Sequence, residues 1–313
     1  MMKHILITGG AGFIGSNTVQ HALNQGLKVT VLDSFDSSAV SAESLERAGA
    51  NVLKLDIRDE RLINNINEEY DAIIHLAAQV SVPKSIQDPE YNHSVNINGT
   101  EHVLEFGRRN NVKRFIFASS SAVYGDCETM PLSENSEGEL QSPYAQSKLE
   151  MEKVIDAQFK QGAEYLSLRF FNVYGPNQKF DSSYGAVIPI FINLLSQGIQ
   201  PTIYGSGKQS RDFVHVRDVA RLLVDVAVGE WNNQTQSVYN VGTGTSVSVN
   251  ELASLIHKLT DSTTKLEPKF EPERRGDIQH SLASIAAVRN DLNWKPEISL
   301  QEGLEELIEV KSR

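Results

Sequence analysis

Gly9-Gly10-Ala11-Gly12-Phe13-Ile14-Gly15 stands directly after a short apolar run, His4–Thr8, and opens a helical pattern over 12–25. A glycine-rich turn between a strand and a helix is the setting in which a backbone wraps a dinucleotide. In that reading Gly9 allows the tight turn, Gly12 lets the backbone approach a pyrophosphate, and Gly15 lets the helix pack on the sheet. The phosphates would rest on the helix N-terminus, around Phe13 and Ile14, where free N–H groups and the positive dipole end attract them. The spacing is Gly-x-x-Gly-x-x-Gly rather than Gly-x-Gly-x-x-Gly, so the turn alone also suits a plain glycine-rich loop. Asp33 narrows the choice. It ends the next β-rich run, eighteen residues after Gly15, where a carboxylate accepts hydrogen bonds from ribose hydroxyls and repels a 2′-phosphate. The expected cofactor is NAD.

Outward from this turn, short β-rich runs at 4–8, 28–32, 51–55, 72–76, 114–118 and 165–169 alternate with helical patterns at 12–25, 96–110 and 143–161. Several runs are continuously apolar, as befits strands buried on both faces. The alternation predicts right-handed βαβ units and an α/β, Rossmann-type, doubly wound parallel sheet. A short helix is expected to end at 66–70. Asp56-Ile57 ends the third run and Leu76-Ala77-Ala78 the fourth; both belong beside the cofactor, the alanines where the backbone must pass it closely. After Pro176 the pattern loosens, then a helix at 218–228 and a strand at 237–242 follow. We expect 1–175 with about 212–242 to form the NAD-binding domain. A smaller α/β substrate-binding lobe would be discontinuous, from 176–211 and 243–313.

The chain has 313 residues, 40% of them apolar and 22% charged, an ordinary globular balance. A net charge of −11 disfavours nucleic acid or an anionic membrane as partner and leaves an anionic small ligand to local Arg and Lys. One cysteine, Cys127, excludes an internal disulfide and a cysteine-rich metal site. No apolar run approaches the roughly 18 residues of a membrane span, and 3–8 is too short for a signal-peptide core. The protein reads as cytoplasmic, with no metal.

Ser142-Pro143-Tyr144-Ala145-Gln146-Ser147-Lys148 supplies the chemistry. On a helix, Tyr144 and Lys148 share one face a turn apart. A tyrosine is a poor base at neutral pH, and a nearby ammonium and a cationic nicotinamide would both lower its pKa. Ser119-Ser120-Ser121 ends the strand before it, where a hydroxyl bridges substrate and tyrosine.

The whole chain resembles the extended short-chain dehydrogenase/reductase family, most closely the UDP-sugar 4-epimerases. The resemblance rests on the glycine turn, Asp56-Ile57-Arg58-Asp59, His75-Leu76-Ala77-Ala78, Asn96-Ile97-Asn98-Gly99-Thr100, and Ser119-Ser120-Ser121-Ala122-Val123-Tyr124-Gly125. It rests further on Tyr144-x-x-x-Lys148, Arg169-Phe170-Phe171-Asn172-Val173-Tyr174-Gly175-Pro176 and Arg274-Arg275-Gly276-Asp277. It implies that Ser120, Tyr144 and Lys148 are catalytic and that Asn96 lies in the cofactor site. Asn172, Arg211 and Arg274 would hold the diphosphate of a UDP-sugar, with Lys84, Ser121, Val187, Tyr204 and Asp277 around it. It implies a 4-epimerase in which Tyr144 takes the 4-hydroxyl proton while NAD carries the hydride. Dehydratase and decarboxylase relatives carry an acidic residue directly after the catalytic Ser/Thr; here Ser121 and Ala122 follow. The resemblance also implies that Ser281 occupies the family's gate position, where a small residue would admit N-acetylated sugars. A homodimer through the helices near 96–110 and 143–161 is expected.

Overall fold

The computed structural model describes residues 2–59, 61, 66, 68–179, 186–231, 234–260, 265–273 and 278–312. Its centre is a seven-stranded sheet. Six strands come from residues 4–170: β1 (His4–Thr8), β2 (Lys28–Asp33), β3 (Asn51–Lys54), β4 (Ala72–His75), β5 (Arg114–Ser120) and β6 (Glu164–Phe170). The seventh, Val238–Val241, pairs with β6, and the order across the sheet is Val238–Val241, β6, β5, β4, β1, β2, β3. Every pairing is parallel. The order reverses between β1 and β4, so the crevice for a ligand opens beyond the carboxyl ends of those two strands.

The strands explain why both faces are covered. Ile5, Ile7, Ala72, Ile74 and Ile116 point to one face and join a core with Val19 and Ala22 of the helix Phe13–Asn24 and Val219, Leu222 and Leu223 of the helix Val216–Val228. Leu6, Ile73, Phe115 and Phe117, the residues between them, point to the other. There they meet Val103, Leu104 and Phe106 of the helix Gly99–Arg109 and Met151 and Ile155 of the helix Pro143–Lys160. Alternation of side chains along a strand therefore builds two apolar layers from nearly continuous apolar runs.

A further core gathers Tyr174, Ile188, Phe191, Ile192, Phe213, Leu252, Ile256 and Leu304. It joins the helices Val187–Leu195, Val249–Leu259 and Leu300–Ser312. Two buried carboxylates tie this region to the sheet. Asp218 accepts from the backbone N–H groups of Glu297 and Ile298, each at 3.0 Å. Asp212 is the other.

Residues 66 and 68–70 lie outside any helix, unlike the expected helix end; residue 67 is outside the described residues. Tyr70 is instead buried in the core. The helix expected at 96–110 begins as a π-helical turn, Ser94–Asn98, before settling into Gly99–Arg109.

Candidate functional site

The first turn is held by backbone geometry. Gly9 has φ 69°, and a Cβ there would lie 2.6 Å from the Ala77 nitrogen. At Gly15 a Cβ would come within 2.1 Å of the Gly9 carbonyl oxygen. Neither position tolerates a side chain. At Gly12, by contrast, the only neighbour is the Gly9 oxygen at 3.2 Å, leaving space above the turn. Gly12 caps the helix Phe13–Asn24 with no side chain, and no acidic residue occupies its first turn. An uncapped helix start under an open glycine fits a diphosphate.

Asp33 has a structural task that the sequence did not disclose. Its carboxylate accepts from the Ala11 N–H at 2.9 Å and from the Phe35 N–H at 2.8 Å, so it braces the glycine turn. Each oxygen keeps a lone pair for ribose hydroxyls. Asp56 is engaged by Arg58, whose Nε lies 3.0 Å from both carboxylate oxygens, and this contact holds the Asp56 carboxyl below its ordinary pKa. Ile57 is buried against Gly99, where any Cβ would strike it.

Leu76, Ala77 and Ala78 follow β4, half-buried. Their path is fixed by a buried chain of hydrogen bonds. Thr100 Oγ1 donates to the Asn96 carbonyl at 2.7 Å, so it accepts from His75 Nε2 at 3.0 Å. His75 Nδ1 then accepts from the Thr8 hydroxyl at 2.7 Å, and Thr8 Oγ1 accepts from the Ala77 N–H at 3.3 Å. Burial, and then the charge of Lys148, press the His75 pKa down to about 3, which keeps the imidazole neutral as this relay requires. Asn96 is buried too, and its amide is taken up by protein. Its oxygen accepts from the Gln79 N–H at 2.8 Å, and its nitrogen reaches Gln79 O and Asn92 Oδ1 at 3.0 Å and Ser147 Oγ at 3.2 Å. It clamps the loop after Ala78 to the helix that carries Tyr144.

That helix starts where the sequence places it. The Ser142 hydroxyl accepts from the Ala145 N–H at 3.2 Å, and Pro143 fills the first turn. Tyr144 and Lys148 are consequently a turn apart and buried, beside the end of β5. Ser120 ends β5, its hydroxyl accepting from the Ala122 N–H at 3.2 Å. Ser121 follows in a single 3₁₀ turn, Ser121–Tyr124. Lys148 Nζ donates to the Ala118 carbonyl at 2.7 Å and sits 4.6 Å from the Phe117 ring centroid.

The electrostatics of the pair differ from the sequence expectation. In the chain itself burial raises the Tyr144 pKa, and the hydrogen bond with Ser120 only pulls it part of the way back. Lys148 Nζ is 5.9 Å from the Tyr144 ring centroid and is aimed at Ala118 instead. Desolvation wins over the ammonium. Burial also draws the Lys148 pKa down to about 7, against an opposing pull from the Glu152 carboxylate.

On the other side of the crevice, Asp212 is fully buried. Its carboxylate accepts from Thr243 N and Oγ1, each at 2.7 Å, Gly244 N at 3.0 Å and Ala283 N at 3.1 Å. Its own carbonyl accepts from the Asn172 N–H at 3.0 Å. The Ser210 carbonyl accepts from Arg211 Nη1 at 2.9 Å and from the Ser281 N–H at 3.1 Å. Asn172, Arg211 and Ser281 are thus gathered at one place. Val187 opens its helix, Tyr204 is exposed at the end of the Thr202–Tyr204 strand, and Lys84 is exposed on the helix Val82–Gln87. Ser85 of the same helix accepts from the Tyr144 N–H at 3.3 Å. Arg274 and Asp277 lie outside the described residues.

Sequence reasoning missed Asp212 and Glu152 and the roles of Ser119 and Arg169. Two signals were available. Asp212 is an acid directly before the apolar run Phe213–Val216, and Glu152 is one turn beyond Lys148 on its helix.

A doubly wound sheet whose switch point meets a Ser–Tyr–Lys cluster defines an enzyme of the extended short-chain dehydrogenase/reductase class. Residues 5–242 match the NAD dependent epimerase/dehydratase family, and the chain belongs to it. Among solved structures, a UDP-N-acetylglucosamine 4-epimerase of Methanobrevibacter ruminantium, in complex with UDP-N-acetylmuramic acid, is 35% identical with TM-score 0.91, covering 100% of this chain and 99% of that one. A UDP-glucose 4-epimerase of Thermotoga maritima, solved with UDP-glucose, is 34% identical with TM-score 0.91, covering 99% and 98%. A UDP-N-acetyl-alpha-D-glucosaminuronate decarboxylase of Bacillus cytotoxicus is 30% identical over 99% of this chain and 98% of its own.

The lowered Lys148 pKa has a thermodynamic signature. The unfolded lysine keeps its proton to about pH 10.4, whereas the folded one releases it near 7. Between these values the unfolded state binds more protons, so this group makes stability rise with pH. Thermal unfolding of Lys148→Met should therefore lack part of the rise that the parent shows from pH 7 to about pH 10. Parallel curves for the two proteins would contradict the buried, depressed lysine.

Proposed function

We propose that this protein interconverts the 4-epimers of a UDP-hexose with NAD as tightly held cofactor. The observation that carries this reading is Ser120, Tyr144 and Lys148 meeting at the carboxyl end of β5, one strand from the β1–β4 switch point, with Ser121 and Ala122 where elimination or decarboxylation relatives place an acid. Without that proton donor the site is limited to oxidising and re-reducing one carbon.

The cofactor would lie along the carboxyl ends of β1, β2 and β4. Gly9, Gly12, Phe13, Ile14 and Gly15 would hold its diphosphate and Asp33 its adenosine ribose. Asp56 and Ile57 would flank the adenine and Leu76–Ala78 the path to the nicotinamide, with Asn96 acting through its clamp on Gln79. Bound NAD supplies the hydride acceptor and donor and a positive charge beside the phenol. Ser120 would bridge the substrate hydroxyl to Tyr144, which takes the 4-hydroxyl proton and later returns it. Lys148 would hold the nicotinamide ribose. Asn172, Arg211 and Arg274 would grip the UDP diphosphate, the arginines as paired donors to phosphate oxygens. Lys84, Ser121, Val187, Tyr204, Asp277 and Ser281 would complete the substrate site. The nucleotide must be held firmly and the sugar loosely, so that the 4-keto sugar presents its other face.

We assign 1–175 with about 212–242 to the cofactor domain and 176–211 with 243–313 to the substrate lobe. The return of Val216–Val228 and Val238–Val241 to the sheet supports that division. A cytoplasmic homodimer through the helices near 96–110 and 143–161 is part of the same reading.

Purified protein should release NAD on denaturation and epimerise UDP-glucose and UDP-galactose. Tyr144→Phe should retain the NAD and lose turnover by about 10²- to 10⁴-fold; undiminished turnover would sink the mechanism. Ser281 is small and its backbone is anchored to Ser210. UDP-N-acetylhexosamines should accordingly be turned over by the parent, and Ser281→Tyr should reduce that activity by about tenfold or more while sparing the plain hexoses. Acetylated substrates that are inert with the parent would defeat the gate.

A further inference from the structure

Directly behind the proton-transfer pair lies a buried ionic cluster that the proposed reaction does not use. Glu152 is 3% exposed and one turn beyond Lys148 on the helix Pro143–Lys160. Its carboxylate accepts from the Ser119 hydroxyl and from Arg169, whose Nε lies 2.9 and 3.2 Å and Nη2 2.7 Å from its oxygens. Ser119 immediately precedes Ser120 on β5, and Arg169 sits opposite Ser119 on β6. Arg169 is fixed in turn by the Glu134 carbonyl at 2.8 Å and by the Tyr124 ring, 4.7 Å from its guanidinium carbon.

We infer that Glu152 is a positioning residue for proton transfer, tying the helix of Tyr144 and Lys148 to the strand end of Ser120 and supplying the negative charge that faces Lys148. The inference rests on the reading of Tyr144, Lys148 and Ser120 given above. Three considerations support it. First, Glu152 links two elements whose relative placement decides the distance from Ser120 to Tyr144. A hydroxyl and a phenol that must share one substrate proton tolerate little relative movement. Second, a buried ion pair is a poor device for stability alone, because apolar residues of similar volume often serve as well or better. Third, the surroundings of Lys148 leave Glu152 little competition. From its own helix Lys148 faces Tyr144 and Glu152. From β5 it meets the Phe117 ring and the Ala118 carbonyl. From β4 it meets His75, which is neutral, and on β6 Arg169 lies against Glu152. Glu152 favours the ammonium form of Lys148, opposing burial, and in so dry a place its charge is weakly screened.

The test is the pH dependence of kcat for UDP-galactose epimerisation, with bound NAD measured in every variant. Glu152→Gln preserves shape and removes the charge, leaving Arg169 uncompensated. It should fold with NAD bound, and its activity should fall on the alkaline side at a pH about one unit below the parent's. Glu152→Asp should bring that alkaline fall back towards the parent's pH, with kcat still reduced because the shorter side chain strains the tie to Ser119. Ser119→Ala retains both charges, so kcat should drop several-fold with the alkaline fall unmoved; it also serves should Glu152→Gln fail to fold. A Glu152→Gln profile that superimposes on the parent's after scaling would reduce Glu152 to packing, and parental kcat in Ser119→Ala would remove the tie. Either outcome with an active parent and an inactive Tyr144→Phe overturns this inference alone. An inactive parent, or an active Tyr144→Phe, overturns the underlying reading instead.

Discussion

Gly9 and Ala77 come so close that no side-chain carbon fits between them. This approach is where β1 and β4, neighbours in the sheet but far apart in sequence, turn away from each other. It places the uncapped start of the helix Phe13–Asn24 and the end of β4 on the two lips of one crevice. The remaining parts of the site are arranged around that opening. Asp33 braces the turn from β2, the Thr8–His75–Thr100 relay fixes the backbone of Ala77, and Asn96 passes the constraint through Gln79 to the helix of Tyr144. A larger residue at Gly9 or Gly15 would act on all of them at once.

The site's electrostatics are dominated by burial rather than by pairwise attraction. Tyr144 is pushed towards its neutral form, and so is Lys148. A tyrosine in this state holds its proton; taking the substrate's proton requires the phenolate, which a positive charge beside the ring would favour. A lysine whose charge is close to balance is sensitive to any charge placed nearby, which is why Glu152 and its Arg169 counter-ion matter. On the opposite lip a different solution appears. The buried Asp212 carboxylate satisfies four donors from two separate chain segments, while its carbonyl holds Asn172 and the neighbouring Ser210 carbonyl holds Arg211 and Ser281.

Much of this was legible in the sequence, for identifiable reasons. Nearly continuous apolar runs alternating with helical stretches specify a parallel sheet, and the glycine turn specifies which strand is β1. Ser142-Pro143 marked the helix start that sets Tyr144 and Lys148 a turn apart. What stayed hidden were interactions whose partners are distant along the chain. Glu152 reads as an ordinary helix acid until β6 delivers Arg169 to it, and nothing in the sequence shows that Asp33 also holds the Ala11 N–H. The sign of the Tyr144 shift also escaped, because local sequence reports the neighbouring lysine but not the depth of burial. The π-helical turn at Ser94–Asn98 has no periodic signature and read as plain helix.

The central claim is that this site oxidises and re-reduces a single carbon while the hydrogen removed is kept from water. It is tested most directly by giving the enzyme UDP-galactose carrying deuterium at C4 and analysing the UDP-glucose formed in ordinary water. The account predicts that the product retains the deuterium at C4, with no solvent hydrogen incorporated there. Loss of the label to solvent, or conversion to a dehydrated or decarboxylated sugar, would contradict it.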